Sequence, residues 1–209
     1  MGRARFAAEG ALVVAALLYG VTFPLAHDAL DDISPFAYLA GRFAVAVLFV
    51  APFAYRAWRN APDRSLVVRA GVVAGVVLFG GYALQTVGLQ YTTPSTSAFI
   101  TGLYAVLTPV VEAIAYRRLP GRATWIGITV ATVGLYLLTG ASLDLGRGEL
   151  LTLGAAVLFA AHIVYLGAYA RRVPSAPFVG MQLGMIAALS VPGAAIDGVG
   201  TVTALAVFA

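Results

Sequence analysis

Inside an otherwise apolar stretch, Ser97, Thr101, Tyr104, Thr108 and Glu112 follow one another at spacings of 4, 3, 4 and 4. On an α-helix this spacing gathers four hydroxyls and a carboxylate into one stripe and leaves the other faces apolar. Such a stripe is unsuited to lipid; it lines a hydrated cavity or hydrogen-bonds to a neighbouring helix. Arg42, one turn after Tyr38, places a guanidinium inside a second apolar stretch. It can hold an anionic group or reach outward to the interface. His162 lies deep in a third stretch, with Tyr165 and Tyr169 continuing its face. An imidazole there can relay a proton, bond a substrate or join two helices.

Tyr19 with Thr22, Tyr82, Gln85 with Thr86, and Gln182 are further polar groups in apolar surroundings. The expected substrate contacts are Tyr19, Arg42, Gln85, Thr101, Tyr104, Thr108, His162 and Tyr165, with His162 and Glu112 as candidates for proton coupling. Glu112 has a plainer alternative, pairing with Arg117 or Arg118 or snorkelling to the interface.

Other chemistries lack their parts. The 209 residues contain no cysteine, and all 13 basic residues are arginine. Disulfides, thiolate nucleophiles, cysteine-ligated metals and lysine Schiff bases are thereby excluded. The Gly-x-Ser-x-Gly elbow, the His-Glu-x-x-His metal pair, a paired set of acids within one span and the Gly-x-x-x-x-Gly-Lys phosphate loop do not occur. The chain is not expected to be an enzyme or to use a metal or cofactor.

The elements that must position these groups are membrane helices. Hydrophobic residues make up 61% of the chain and charged residues 11%, with a mean hydropathy of +0.91. A soluble domain carries about a quarter charged residues, so the expected partners are the lipid bilayer and a small-molecule substrate, not nucleic acid. A crossing takes about 20 apolar residues, and seven such segments are expected at 8–27, 34–55, 68–91, 94–116, 123–141, 150–170 and 176–195. Their unbroken apolar runs do not alternate as barrel strands do. The fold class is therefore an all-α integral membrane protein. Gly71 with Gly75 and Gly180 with Gly184 have the spacing of close-packing faces.

Of the 13 arginines, 11 fall at the chain start or in every second loop, while Asp28, Asp31 and Asp32 occupy an intervening loop. The positive-inside rule then makes the N-terminus cytoplasmic. The lysine-free, Ala-, Val- and Arg-rich composition suggests a bacterial source, hence the bacterial inner membrane.

The chain also echoes itself. Leu17 to Phe23 resembles Val157 to Ile163 about 140 residues later, and Ser34-Pro35-Phe36 returns as Ala176-Pro177-Phe178. Spans six and seven would thus repeat spans one and two. A five-span unit is odd, so the second copy enters the membrane upside down, the inverted-repeat architecture of secondary transporters. The expected organisation is a first repeat at 8–141 and a second at 149–209, incomplete because two units need about 280 residues. Thr201 to Ala209 reads as the start of an eighth span. If the chain is not a fragment, a homodimer would complete the pathway.

Tyr19-Gly20-Val21-Thr22-Phe23-Pro24, Ser34-Pro35-Phe36 through Gly41-Arg42-Phe43, Thr96 through Tyr104 with Leu107-Thr108-Pro109, and Trp125-Ile126-Gly127 through Gly134-Leu135-Tyr136 resemble EamA-type members of the drug/metabolite transporter superfamily. Phe159-Ala160-Ala161-His162-Ile163 resembles the opening of that family's second repeat. The resemblance implies ten helices in two inverted five-helix repeats and export or exchange of small metabolites, such as amino acids or xenobiotics, by alternating access. Tyr116-Arg117-Arg118-Leu119 departs from the Gly-Glu-Arg-Leu turn of many members. A non-transporting structural or signalling membrane protein is the competing function.

Overall fold

The computed structural model describes residues 2–117, 119–138 and 145–196. Helices occupy almost all of them: α1 (Gly2–Ala29), α2 (Pro35–Arg59), α3 (Arg64–Leu89), α4 (Pro94–Gly102), α5 (Tyr104–Ala115), α6 (Arg122–Leu138), α7 (Arg147–Tyr169) and α8 (Ser175–Ile196). No strand occurs among the described residues. Local chemistry sets the helix starts. Ser34, Asp63 and Thr93 accept hydrogen bonds from the backbone amides of Ala37, Leu66 and Thr96, at 3.3, 2.9 and 3.1 Å. Each thereby satisfies a donor that the first turn leaves unpaired. Pro35 and Pro94 stand next, where no amide is needed.

Five helical stretches are long and apolar enough to cross a bilayer: Pro35–Arg59, Arg64–Leu89, Pro94–Ala115, Arg147–Tyr169 and Ser175–Ile196. The chain is a multi-pass membrane protein. The apolar part of α1, Val13–Ala29, falls short of that length, and α6 has 17 residues, so the structure supports five of the seven expected crossings. The residues expected to begin an eighth span, Thr201 to Ala209, lie outside the described residues, as does Arg118. Outward faces are apolar: Leu17, Leu18, Phe49, Phe53, Ile126 and Val130 are all exposed, the reverse of a bundle made for water.

The expected single helix over 94–116 is in fact two. At Leu103 the amide bonds the carbonyl of Ile100 at 3.1 Å, three residues back, a tightened turn between α4 and α5. Gly102 has no side chain to hold the turn. Six residues after Leu103, Pro109 lacks the amide that would reach Ala105. Along the stripe Thr101 meets Gln85 of α3, whereas Thr108 and Glu112, farther along, line a cleft on α7.

Helix α3 is central. It runs antiparallel to α7, where Gly81 faces Phe159 and Gly88 faces Thr152, and parallel to α8, where Gly71 faces Met181 and Gly75 faces Met185. Helix α2 packs most extensively on α8, antiparallel, with Gly193 against Phe36 and Gly180 against Ala54. Helices α4 and α5 lie on α7, α1 on α4, and α6 on α5. Glycines concentrate at these crossings because lipid removes most of the hydrophobic drive between helices and close backbone approach replaces it. Gly184 departs from the expected packing face: a side chain there would meet nothing within 4 Å. The loops before α3, before α6 and before α8 share one end of the bundle, the arginine end; the Asp28 to Asp32 loop, the α3–α4 loop and the start of α7 share the other.

Candidate functional site

Five helices bring polar groups together in the half of the bundle away from the arginine end. On α3, Gln85 donates its amide nitrogen to the Thr101 hydroxyl of α4 at 2.8 Å, both side chains being buried. Tyr19 of α1 reaches Gln85, and Arg42, Tyr82 and Tyr104 lie within its electrostatic range. Seven residues into α2, hence about 10 Å along it, the Arg42 guanidinium sits 5.7 Å from the Phe43 ring centre and 5.8 Å from that of Tyr82. The Tyr82 ring also meets Phe43 and Phe159 edge-on, at 4.8 and 5.2 Å between centres.

Between these groups lies a cavity of about 20 Å³ lined by Tyr19, Thr22, Phe23, Ala26, Tyr38, Arg42, Gln85, Thr86 and Leu89, room for one or two waters. Its chemistry is a cation framed by ring faces, phenolic hydroxyls and an amide. That combination suits a polar, hydrogen-bonding solute group far better than lipid.

The structure thus gathers Tyr19, Arg42, Gln85, Thr101 and Tyr104 and sends the other named residues elsewhere. Thr108 donates to the Tyr104 carbonyl at 2.6 Å and, with Glu112, lines a cleft of about 410 Å³ toward the arginine end, against Ile163, Val164 and Gly167 of α7. Glu112 forms no ion pair among the described residues; Arg117, at φ 52°, turns the chain out of α5. Tyr165 stacks on Tyr169 at 4.7 Å beside the buried cluster around Val67 and Ala70.

His162 belongs to the α7–α8 contact, 2.8 Å from the side-chain oxygen of Gln182. The Gln182 nitrogen donates to the Phe178 carbonyl at 3.0 Å, so its oxygen faces the ring and His162 Nε2 must be the donor. Ser97, fully buried at the start of the polar stripe, has no hydrogen-bond partner for its hydroxyl among the described residues.

One contact had no signal in the sequence beyond loop polarity. Thr92, after α3, hydrogen-bonds Glu149 in the first turn of α7, and the Arg147 guanidinium lies 4.6 Å from the Tyr91 ring centre. Together they tie the α3–α4 loop to α7 above the site. No three His, Asp or Glu side chains lie together among the described residues, so those residues offer a metal no ligand set.

The EamA-like transporter family matches residues 7–140. An uncharacterized transporter of Archaeoglobus fulgidus is 37% identical over 170 residues, covering 81% of this chain and 52% of that protein. The uncharacterized transporter YyaM of Bacillus subtilis is 28% identical over 158 residues, 73% of this chain and 52% of the relative. The chain spans about half the length of these curated relatives, and no solved structure matches it. With more than half its length matched by one family, and both relatives aligned across most of it, the chain belongs to the EamA-like transporter family.

Proposed function

We propose that the chain is a transport protein that moves a small organic solute across the bacterial inner membrane by alternating access. The solute binds among Tyr19, Arg42, Gln85, Thr101 and Tyr104. The observation that carries the reading is the convergence of polar side chains from α1, α2 and α3 on one cavity, with Thr101 of α4 hydrogen-bonded to the Gln85 that lines it. A purely structural bundle gains nothing by holding an arginine, phenols and an amide around that space. The arginine end is the cytoplasmic one and the N-terminus is inside.

The inverted repeat draws support from direction and pairing. Helix α7 runs against α3, and α8 runs against α2 and packs on it most extensively. A twofold axis lying in the membrane plane would bring the second helices of two such units into contact in this way. Seven crossings and a second unit opening at α7 follow from the same reading. The full path then needs further helices like those in the rest of the relatives' length, or a second copy. For proton exchange Glu112, open to the cleft, is better placed than His162, whose Nε2 is committed to Gln182.

Counterflow in liposomes containing the full chain tests the function. Vesicles loaded with a metabolite mixture should exchange at least one labelled component faster than protein-free vesicles, and Gln85→Leu should slow that exchange at least tenfold. If no component moves above the protein-free rate, the non-transporting alternative prevails.

A further inference from the structure

We infer that the solute carries a carboxylate and that Arg42 binds it. This rests on reading the cavity as a solute site and names the chemistry that site selects. Arg42 is half-buried about 10 Å along α2. Among the described residues its guanidinium meets two ring faces and makes no hydrogen bond or ion pair. A guanidinium has five donors in a planar fork, and a charge at that depth requires a partner.

Among the described residues no carboxylate supplies it: Asp28, Asp31 and Asp32 lie exposed at or beyond the end of α1, and Glu149 is engaged by Thr92. The space beside Arg42, about 20 Å³, has room for one or two waters, whose places the two oxygens of a carboxylate would take between the guanidinium and the phenol of Tyr19. Phe23, Ala26 and Leu89 offer an apolar wall for the carbon skeleton.

Charge matching selects among anions. No second cation lines the cavity, so a phosphate dianion would leave a negative charge unmatched in a low-dielectric site, whereas a monocarboxylate is neutralised. A small monocarboxylate with an apolar body is the class that fits.

Purified full chain in lipid nanodiscs, titrated with isovalerate, benzoate and cinnamate, with their amides, and with matched amines, tests this by ligand-induced thermal stabilisation. At least one carboxylate should bind, its amide at least tenfold more weakly. Arg42→Gln should lose at least tenfold in carboxylate affinity while Arg42→Lys recovers part of it; this recovery separates a charge effect from misfolding. Binding of amines or amides with no preference for carboxylates, or carboxylate binding unchanged in Arg42→Gln, overturns the carboxylate assignment and leaves the solute site standing. If none of the probes binds and the counterflow vesicles move nothing, both readings fall.

Discussion

The two sides of α3 are built on opposite principles. Toward α7 and α8 it presents Gly71, Gly75, Gly81 and Gly88, and a Cβ added at these positions would come within 2.6 to 2.9 Å of a neighbouring atom. Toward α1, α2 and α4 it presents Tyr82, Gln85 and Thr86, with a small polar cavity and a cross-helix hydrogen bond. The glycine side gains its stability from contact between close surfaces, which tolerates no added atom. The polar side gains much less from packing and retains groups that lipid cannot satisfy. Helix α1, whose principal contact is with α4, borders the polar side.

The largest effect is expected where α3 and α7 meet most closely. A Cβ on Gly148 would lie 2.7 Å from the backbone carbon of Tyr91 and 2.8 Å from the Gly88 carbonyl oxygen. Both obstacles are backbone, so no rotamer change relieves them. Gly148→Ala should cost about 3 kcal/mol, read as lost thermal stability in nanodiscs and poor recovery of folded protein. Gly71→Ala should cost less, because its nearest obstacle is the flexible Met181 side chain at 2.7 Å. If Gly148→Ala behaves like wild type, the glycine side is not the rigid one.

The polar side should give a smaller stability effect and a larger functional one. A double-mutant cycle with Gln85→Leu and Thr101→Val should report a coupling of about 1 kcal/mol, the range for hydrogen bonds between membrane helices. Solute affinity should fall at least tenfold in Gln85→Leu. A coupling near zero would mean that each side chain finds another partner, and the two sides of α3 would no longer differ in kind.

His162 and Gln182 sharpen the contrast, since they are polar yet sit on the packing side. The pair His162→Phe and Gln182→Leu should show a coupling similar to that of Gln85 and Thr101, with solute affinity unchanged within about twofold. A tenfold loss of affinity would move this contact into the site.

How far the sequence reveals these two sides depends on what lipid forbids. All seven apolar segments correspond to helices, five of them long and apolar enough to cross, because an unpaired backbone cannot cross hydrocarbon. Those helices overrun some expected ends, as α2 does in reaching Arg59, because arginine-bearing turns continue into the interface. The break at Leu103 is not legible, since periodicity assumes a straight helix. The stripe is divided along its length: Thr101 goes to Gln85, and Thr108 and Glu112 go to the cleft on α7. The polar residues were legible as lipid-avoiding, but a cavity and a neighbouring helix satisfy that requirement equally well. Arg42 and His162 therefore look alike in sequence, and only the fold separates a guanidinium with no polar partner among the described residues from an imidazole bonded to a neighbouring helix.

The smallest effect is expected on α1. A Cβ at Gly20 would meet nothing within 4 Å among the described residues, whereas Ala160 is fully buried on α7. With Gly20 exposed, Gly20→Leu should change stability by no more than about 0.5 kcal/mol, the gain in helix propensity offsetting little else. The same substitution at Ala160 should be severe, because the space there is filled. Should Gly20→Leu instead cost more than about 1 kcal/mol in nanodiscs, another helix must cover α1 as α3 covers α7. Helix α1 would then carry a second packed face.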